Sequence, residues 1–196
     1  MEKFVTEIFE EILETQNRFF AESIPVLSSI SLEIAKTFIG GGKLLIFGNG
    51  GSAANAQHIA AKFVNRFKME RPPLPAIALT TDSSVITSIG NGYSFDDIFL
   101  KQLQAVAING DIVIGISTSG NSENVLRALK YAAKSGIKSI GFTGKDGGKM
   151  NGLCDIILNV DSKTTARVQE IHIQAANIIC ELVDEIMFSK FSSFLD

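Results

Sequence analysis

Hydrophobic positions fall into two regimes along the chain. Up to Phe38 they recur at helical spacing. Phe4, Val5, Ile8, Phe9, Ile12 and Leu13, with Glu7, Glu10, Glu11 and Glu14 opposite, predict an amphipathic helix over residues 3–22. Pro25 suits the first turn of a second helix, whose apolar face is Leu27, Ile30, Ile34 and Phe38 and which Gly40-Gly41-Gly42 ends. From Lys43 onward, apolar runs alternate with glycine-rich turns and helical segments. Strands are predicted at 43–47, 75–79, 111–116, 138–142 and 155–160, and helices at 52–67, 84–90, 95–107, 122–135 and 164–189. Runs that are apolar at every position suit a sheet covered on both faces, and the alternation implies right-handed βαβ units. The expected architecture is α/β: a flavodoxin-like, mostly parallel five-stranded sheet flanked by helices over 41–196. A helical pair over 1–40 belongs to the same domain and serves oligomerisation. The apolar faces of that pair pack either on another subunit or on their own domain.

Composition adds mainly exclusions. A net charge of −3 supplies no global basic field for nucleic acid. Cys154 and Cys180 have no metal-like spacing and read as reduced packing residues. The first 25 residues alternate acids with apolar residues, unlike a secretion signal, and no apolar run approaches the ~20 residues that span a bilayer. A soluble, cytoplasmic protein is expected, with neither nucleic acid nor membrane as a direct partner.

The candidate chemistry lies in two turns. Gly48-Asn49-Gly50-Gly51-Ser52 follows the strand Leu44-Leu45-Ile46-Phe47. Gly50 and Gly51 admit close backbone approach, and Ser52 is predicted as the cap of a helix whose free N–H groups face an anion. Ser117-Thr118-Ser119-Gly120-Asn121-Ser122 repeats the layout after Ile112–Ile116. Both turns fall at the carboxyl ends of strands, where open α/β sheets bind ligands. Neither has the Lys-Ser/Thr ending of a P-loop or the Gly-x-Gly-x-x-Gly spacing of a dinucleotide fold. They read as a cradle for a small phosphorylated ligand or, more plainly, as two tight strand-to-helix turns.

These motifs, with Thr143-Gly144-Lys145-Asp146-Gly147-Gly148 and Arg167-Val168-Gln169-Glu170-Ile171-His172, resemble the sugar isomerase (SIS) domain and, more narrowly, the phosphoheptose isomerase family. The resemblance covers nearly the whole chain. It implies a homotetramer with sugar-phosphate sites between subunits. The implied contacts are Asn49, Gly50, Gly51, Ser52, Asn91, Ser117, Thr118, Ser119, Ser122 and Gln169, and Arg66 adds a two-bonded grip on an oxyanion. Such enzymes move a proton between adjacent carbons of sedoheptulose 7-phosphate. The family uses a Glu four residues after the first helical His and a His eight residues after the Gln of the last helix. With that first His and that Gln, these also bind zinc in some members. Here His58 is followed by Lys62, and Gln169 by Asn177. Helical spacing keeps 58 with 62 and 169 with 177, so the scaffold is kept while its chemistry changes. One good donor among four argues against zinc, and no cofactor is expected. The family's Asn-Asp pair is likewise altered, to Asn91-Gly92.

A second branch shows a similar loss. Ser52–His58, Asn65-Arg66-Phe67, Glu70-Arg71-Pro72, Leu74–Leu79, Asn177 and Leu182–Phe188 are similar to the branch of DnaA initiator-associating proteins. That likeness implies a tetrameric binding protein with the replication initiator as partner. The expected function is therefore a regulatory sugar-phosphate-binding protein without the isomerase acid–base pair. The alternative is a working phosphoheptose isomerase in which Lys62, Gln169 or His58 moves the proton. A sugar-phosphate-sensing transcription factor is disfavoured because no helix-turn-helix domain is attached. Among single residues, His58 is either a sugar contact or a hydrogen-bonded structural imidazole. Lys62 either neutralises a ligand acid or is solvated at an interface. His172 falls off the 169–177 face and reads as structural, and Phe188 and Phe191 either anchor a partner or close the tetramer.

Overall fold

The computed structural model describes residues 1–189 and 191. Its first element corrects the expected helical pair: α1 runs unbroken from Glu2 to Ile39 with Pro25 inside it. An interior proline removes one backbone hydrogen bond and crowds the preceding turn, at a cost of about 3 kcal/mol. A stripe of Phe19, Leu27, Ile30, Ile34 and Phe38 is buried on both sides of the proline, while Pro25 itself faces outward. Each such side chain contributes roughly 1.5–3 kcal/mol on burial, enough to outweigh the local cost. This later part of α1 packs on its own domain, against the last helix and the last strand. In the earlier part Phe4, Val5, Phe9 and Leu13 stay exposed.

The five strands are β1 (Leu44–Gly48), β2 (Ala76–Ala78), β3 (Ile112–Ser117), β4 (Lys138–Gly144) and β5 (Ile156–Val160). They pair in parallel in the order β2-β1-β3-β4-β5, the flavodoxin-like order. Between them run α2 (Gly51–Val64), α3 (Ser83–Gly92), α4 (Ile98–Val106), α5 (Glu123–Lys134) and α6 (Thr165–Phe188). The segment expected as one helix over 95–107 divides, because the Ser94 hydroxyl accepts from the Asp96 N–H and caps a short 3-10 turn, Phe95–Asp97, ahead of α4. Alternation along β1 explains why its run is apolar throughout. Leu44 and Ile46 enter the core shared with α1, α2 and α6, while Leu45 and Phe47 enter the core shared with α4 and α5. Strand order reverses between β1 and β3, so α2 and α5 leave on opposite faces and a crevice opens at the carboxyl ends of these two strands. No described helix is long and apolar enough to cross a membrane.

Helices α2 and α6 run alongside each other in the same direction, since the start of α2 meets Gln169 and its end meets Asp184. The far junction is a buried ion pair. Arg71 Nε donates to Asp184 Oδ1 at 2.9 Å, and both side chains are almost fully enclosed. The same guanidinium donates to the carbonyls of Lys62, Phe63 and Asn65, which the end of α2 leaves without intrahelical partners. Arg71→Ala would strand a buried carboxylate and expose these carbonyls, so an expected loss of about 3–5 kcal/mol should appear in urea unfolding. The charge-free pair Arg71→Met/Asp184→Leu should recover more than half of that loss; a single-variant loss below ~1 kcal/mol would show that the pair does not secure α2.

Candidate functional site

The crevice is built from two unlike turns. After β1 the backbone reverses at Gly50 (φ 54°), which caps α2. Ser52 is therefore inside the first turn of the helix, not at its cap as expected, and is almost fully buried. The Asn49 carbonyl accepts from the Ser52 and Ala53 N–H groups, closing the turn. The Gln169 amide from α6 lies against Gly51: a Cβ there would stand 2.6 Å from Gln169 Nε2, so a larger residue would displace that side chain. After β3, Ser117 Oγ lies 2.9 Å from Ser122 Oγ and 3.5 Å from Ser119 Oγ, so three hydroxyls share one small volume. Gly120 (φ 65°) lets this second turn lie against the backbone at Gly147, where any Cβ would collide with a carbonyl. Asn121 completes the brace, donating to the Ser119 carbonyl and accepting from the Lys149 N–H.

One pair of side chains joins the turns. Asn49 Nδ2 donates to Asn124 Oδ1 at 2.8 Å, and Asn124 Nδ2 donates to Asn49 Oδ1 at 2.9 Å. Asn124 was not among the residues expected at the site. Its signal was available, as a polar residue buried beside Val125, Leu126, Ala128 and Leu129 on α5. The result is that the N-terminal ends of α2 and α5 are held together beside the clustered hydroxyls of Ser117, Ser119 and Ser122. Free N–H groups, aligned peptide dipoles and hydroxyls there suit a phosphate.

Other expected residues lie elsewhere. His58 and Lys62 stand about 10 and 16 Å along α2 from Gly51, given the helix rise. With Ala61, Asn65, Arg66 and Phe67 they line a separate shallow pocket of about 260 Å³. Lys62, half-buried, holds its Nζ 3.9 Å from the centre of the Phe67 ring, a cation–π contact. Arg66 pairs on the surface with Glu70, and a single chain does not bring it to the phosphate turns. Gln169 does reach them, through Gly51, and its backbone carbonyl accepts from Asn55 Nδ2. Asn177 is half-buried eight residues further along α6, its Oδ1 buried without a hydrogen-bond partner. Asn91 is exposed in the last turn of α3, and Phe188 and Phe191 are exposed at the chain's end.

For zinc, the donor set at His58, Lys62, Gln169 and Asn177 is one imidazole, one amine and two amides, which does not fit the ion. Among the described residues no three His, Cys, Asp or Glu side chains gather as a metal site. The other histidine, His172, is enclosed beside Phe142, with Nε2 placed 3.0 Å from the Thr143 carbonyl. Burial lowers its pKa from 6.5 to about 4, so it is neutral at pH 7 and donates to that carbonyl from Nε2, steadying the end of β4.

Three comparisons bear on this geometry. A family model described as the SIS domain matches residues 7–144. The phosphoheptose isomerase of Nitratidesulfovibrio vulgaris (strain DSM 19637 / Miyazaki F) is 50% identical over 188 residues, covering 96% of this chain and 90% of that protein. The phosphoheptose isomerase of Thermodesulfovibrio yellowstonii is 51% identical over 188 residues, covering 96% and 94%. Among solved structures, the phosphoheptose isomerase from Neisseria gonorrhoeae superposes with a TM-score of 0.89 at 39% identity, covering 94% of this chain and 98% of that one.

The buried His172 gives the protein a predictable pH response. Its pKa is about 4 in the folded state against 6.5 ordinarily. Between those values only the unfolded chain takes up the proton, so stability falls as the pH drops through this window, by up to about 3 kcal/mol. Urea unfolding at a series of pH values should show this fall in the wild type and a shallower one in His172→Gln. Equal slopes would show that His172 does not carry the effect.

Proposed function

The chain belongs to the SIS domain family, within the phosphoheptose isomerases, and we propose that it interconverts sedoheptulose 7-phosphate and a heptose 7-phosphate. The observation that carries this reading is identity at half of all positions, over almost the whole chain, with phosphoheptose isomerases. The same finding overturns the expectation of a regulatory binding protein without activity. That expectation rested on Lys62 and Asn177 and on the likeness to the DnaA initiator-associating branch, and with it lapses the reason to name the replication initiator as partner. Two changed side chains weigh less than a scaffold shared from α1 to α6 with relatives that bear an isomerase's name.

In the proposed reaction the phosphate seats on the N–H groups at the starts of α2 and α5, among the hydroxyls of Ser52, Ser117, Thr118, Ser119 and Ser122. That anchorage orients the sugar's carbonyl end. The chemistry moves one proton between C1 and C2 through an enediol, and a second proton between their oxygens, so nothing is consumed. His58 is exposed on α2, and its imidazole can both accept and donate a proton, which suits it to carry the carbon-bound proton. The Lys62 ammonium, steadied against Phe67, suits the developing oxyanion. Gln169 offers an amide at the turn itself. His58, Lys62 and Arg66 lie far from the turns of their own chain, and Phe4, Val5, Phe9 and Leu13 leave an apolar stripe uncovered. Both features support a homotetramer in which one copy's α2 face completes another copy's crevice.

Purified protein should convert sedoheptulose 7-phosphate at an ordinary enzymatic rate. Absence of turnover would end this reading. His58→Ala and Lys62→Ala should each lower kcat by about a hundredfold or more, the usual contribution of a positioned proton-transfer group. Unchanged kcat in Lys62→Ala would remove Lys62 from the mechanism.

A further inference from the structure

We propose that Asn124 is a positioning residue, acting through Asn49 to set the separation of the two turns that grip the phosphate. The argument begins with what each amide does. Asn124 Oδ1 accepts twice, from Asn49 Nδ2 at 2.8 Å and from its neighbour Val125 N–H at 2.9 Å. Asn124 Nδ2 returns a bond to Asn49 Oδ1 at 2.9 Å. The two side chains thus form a closed ring of two hydrogen bonds. Asn124 is almost fully buried, in the first turn of α5. Asn49 sits in the last residue pair before α2, and its carbonyl accepts the first N–H groups of that helix.

The ring therefore ties the start of α2 to the start of α5. These are the two helix ends whose N–H groups must converge on one anion, and they leave opposite faces of the sheet. A flexible link would let them separate; a two-bonded ring between short side chains does not. Its position also revises the role expected of Asn49. One N–H of Asn49 Nδ2 and its Oδ1 are engaged with Asn124, so Asn49 holds the turn while its second N–H stays available to a ligand. Val125 separates this account from a purely structural one. Capping the Val125 N–H needs Asn124 but not Asn49, whereas alignment of the turns needs both.

The proposal rests on the isomerase reading for its substrate, but its test does not depend on turnover. Binding of inorganic phosphate and of sedoheptulose 7-phosphate is measured by calorimetry for wild type, Asn124→Ala, Asn49→Ala and the double variant, with KM and kcat beside them. Losing the ring should raise each Kd and KM by about tenfold, with kcat changed by less than about threefold. The double variant should be no worse than the worse single one, because both remove the same ring. Additive losses, or a phosphate Kd unchanged in Asn124→Ala, would overturn the proposal. Should Asn124→Ala fail to fold, Asn124→Asp keeps the acceptor for Val125 in a helix turn that favours acids. It loses the bond to Asn49 Oδ1, so wild-type phosphate affinity in that variant would overturn the proposal equally. A wild type that binds phosphate with this coupling yet shows no turnover would sink the isomerase reading and leave Asn124's role standing.

Discussion

The geometry of the molecule depends on how α2 and α6 are held together. They lie side by side in the same direction and are secured at opposite ends by opposite means. At the phosphate end, Gly51 has no side chain, and Gln169 fills the space that a Cβ would take. At the far end the junction is polar and buried, with Arg71 gathering the loose carbonyls of α2 and delivering its charge to Asp184. Close approach at one end sets where Gln169 stands; the ion pair at the other keeps α2 from swinging away from α6. The residues considered for proton transfer, His58, Lys62, Gln169 and Asn177, all sit on one of these two helices.

A parallel sheet alone would not make the crevice. The turns after β1 and β3 differ in length and composition, and each is shaped by neighbours outside itself. The first is shaped by α6, through Gly51. The second is shaped by the loop after β4, through Gly120 against Gly147 and Asn121 against Lys149. The Asn49–Asn124 ring then sets one against the other. An anion site of this kind is a property of peptide groups brought to a common point, which is why glycines and small polar residues dominate such a motif.

Lys62 and Asn177 show the limit of transferring roles one residue at a time. Both occupy the expected helix faces, and both differ from the family's acid–base pair. The inference from those differences to lost activity treated two side chains as the whole mechanism. Proton transfer depends on the whole set of groups around the reacting carbons, not on two positions taken alone. The wider match along the chain outweighs the two positions.

Much of the fold was legible in the residue order because its signals are local. Apolar runs bounded by glycine placed all five strands to within a few residues, and their alternation with helices implied the parallel order. The glycine and hydroxyl turns announced an anion site because helix starts and flexible backbone are written in adjacent residues. The rest was settled by contacts between distant segments. Pro25 reads as a boundary until the buried stripe on both sides of it keeps α1 continuous. Ser52 reads as a cap until the left-handed Gly50 takes that place. Nothing in the residues beside Asn124 or Arg71 announces these roles, since each matters through a partner 75 or 113 residues away. Local order determined which elements form and where a phosphate could sit; only tertiary packing decided how those elements are joined, because a buried polar group takes its meaning from the partner that burial forces it to find.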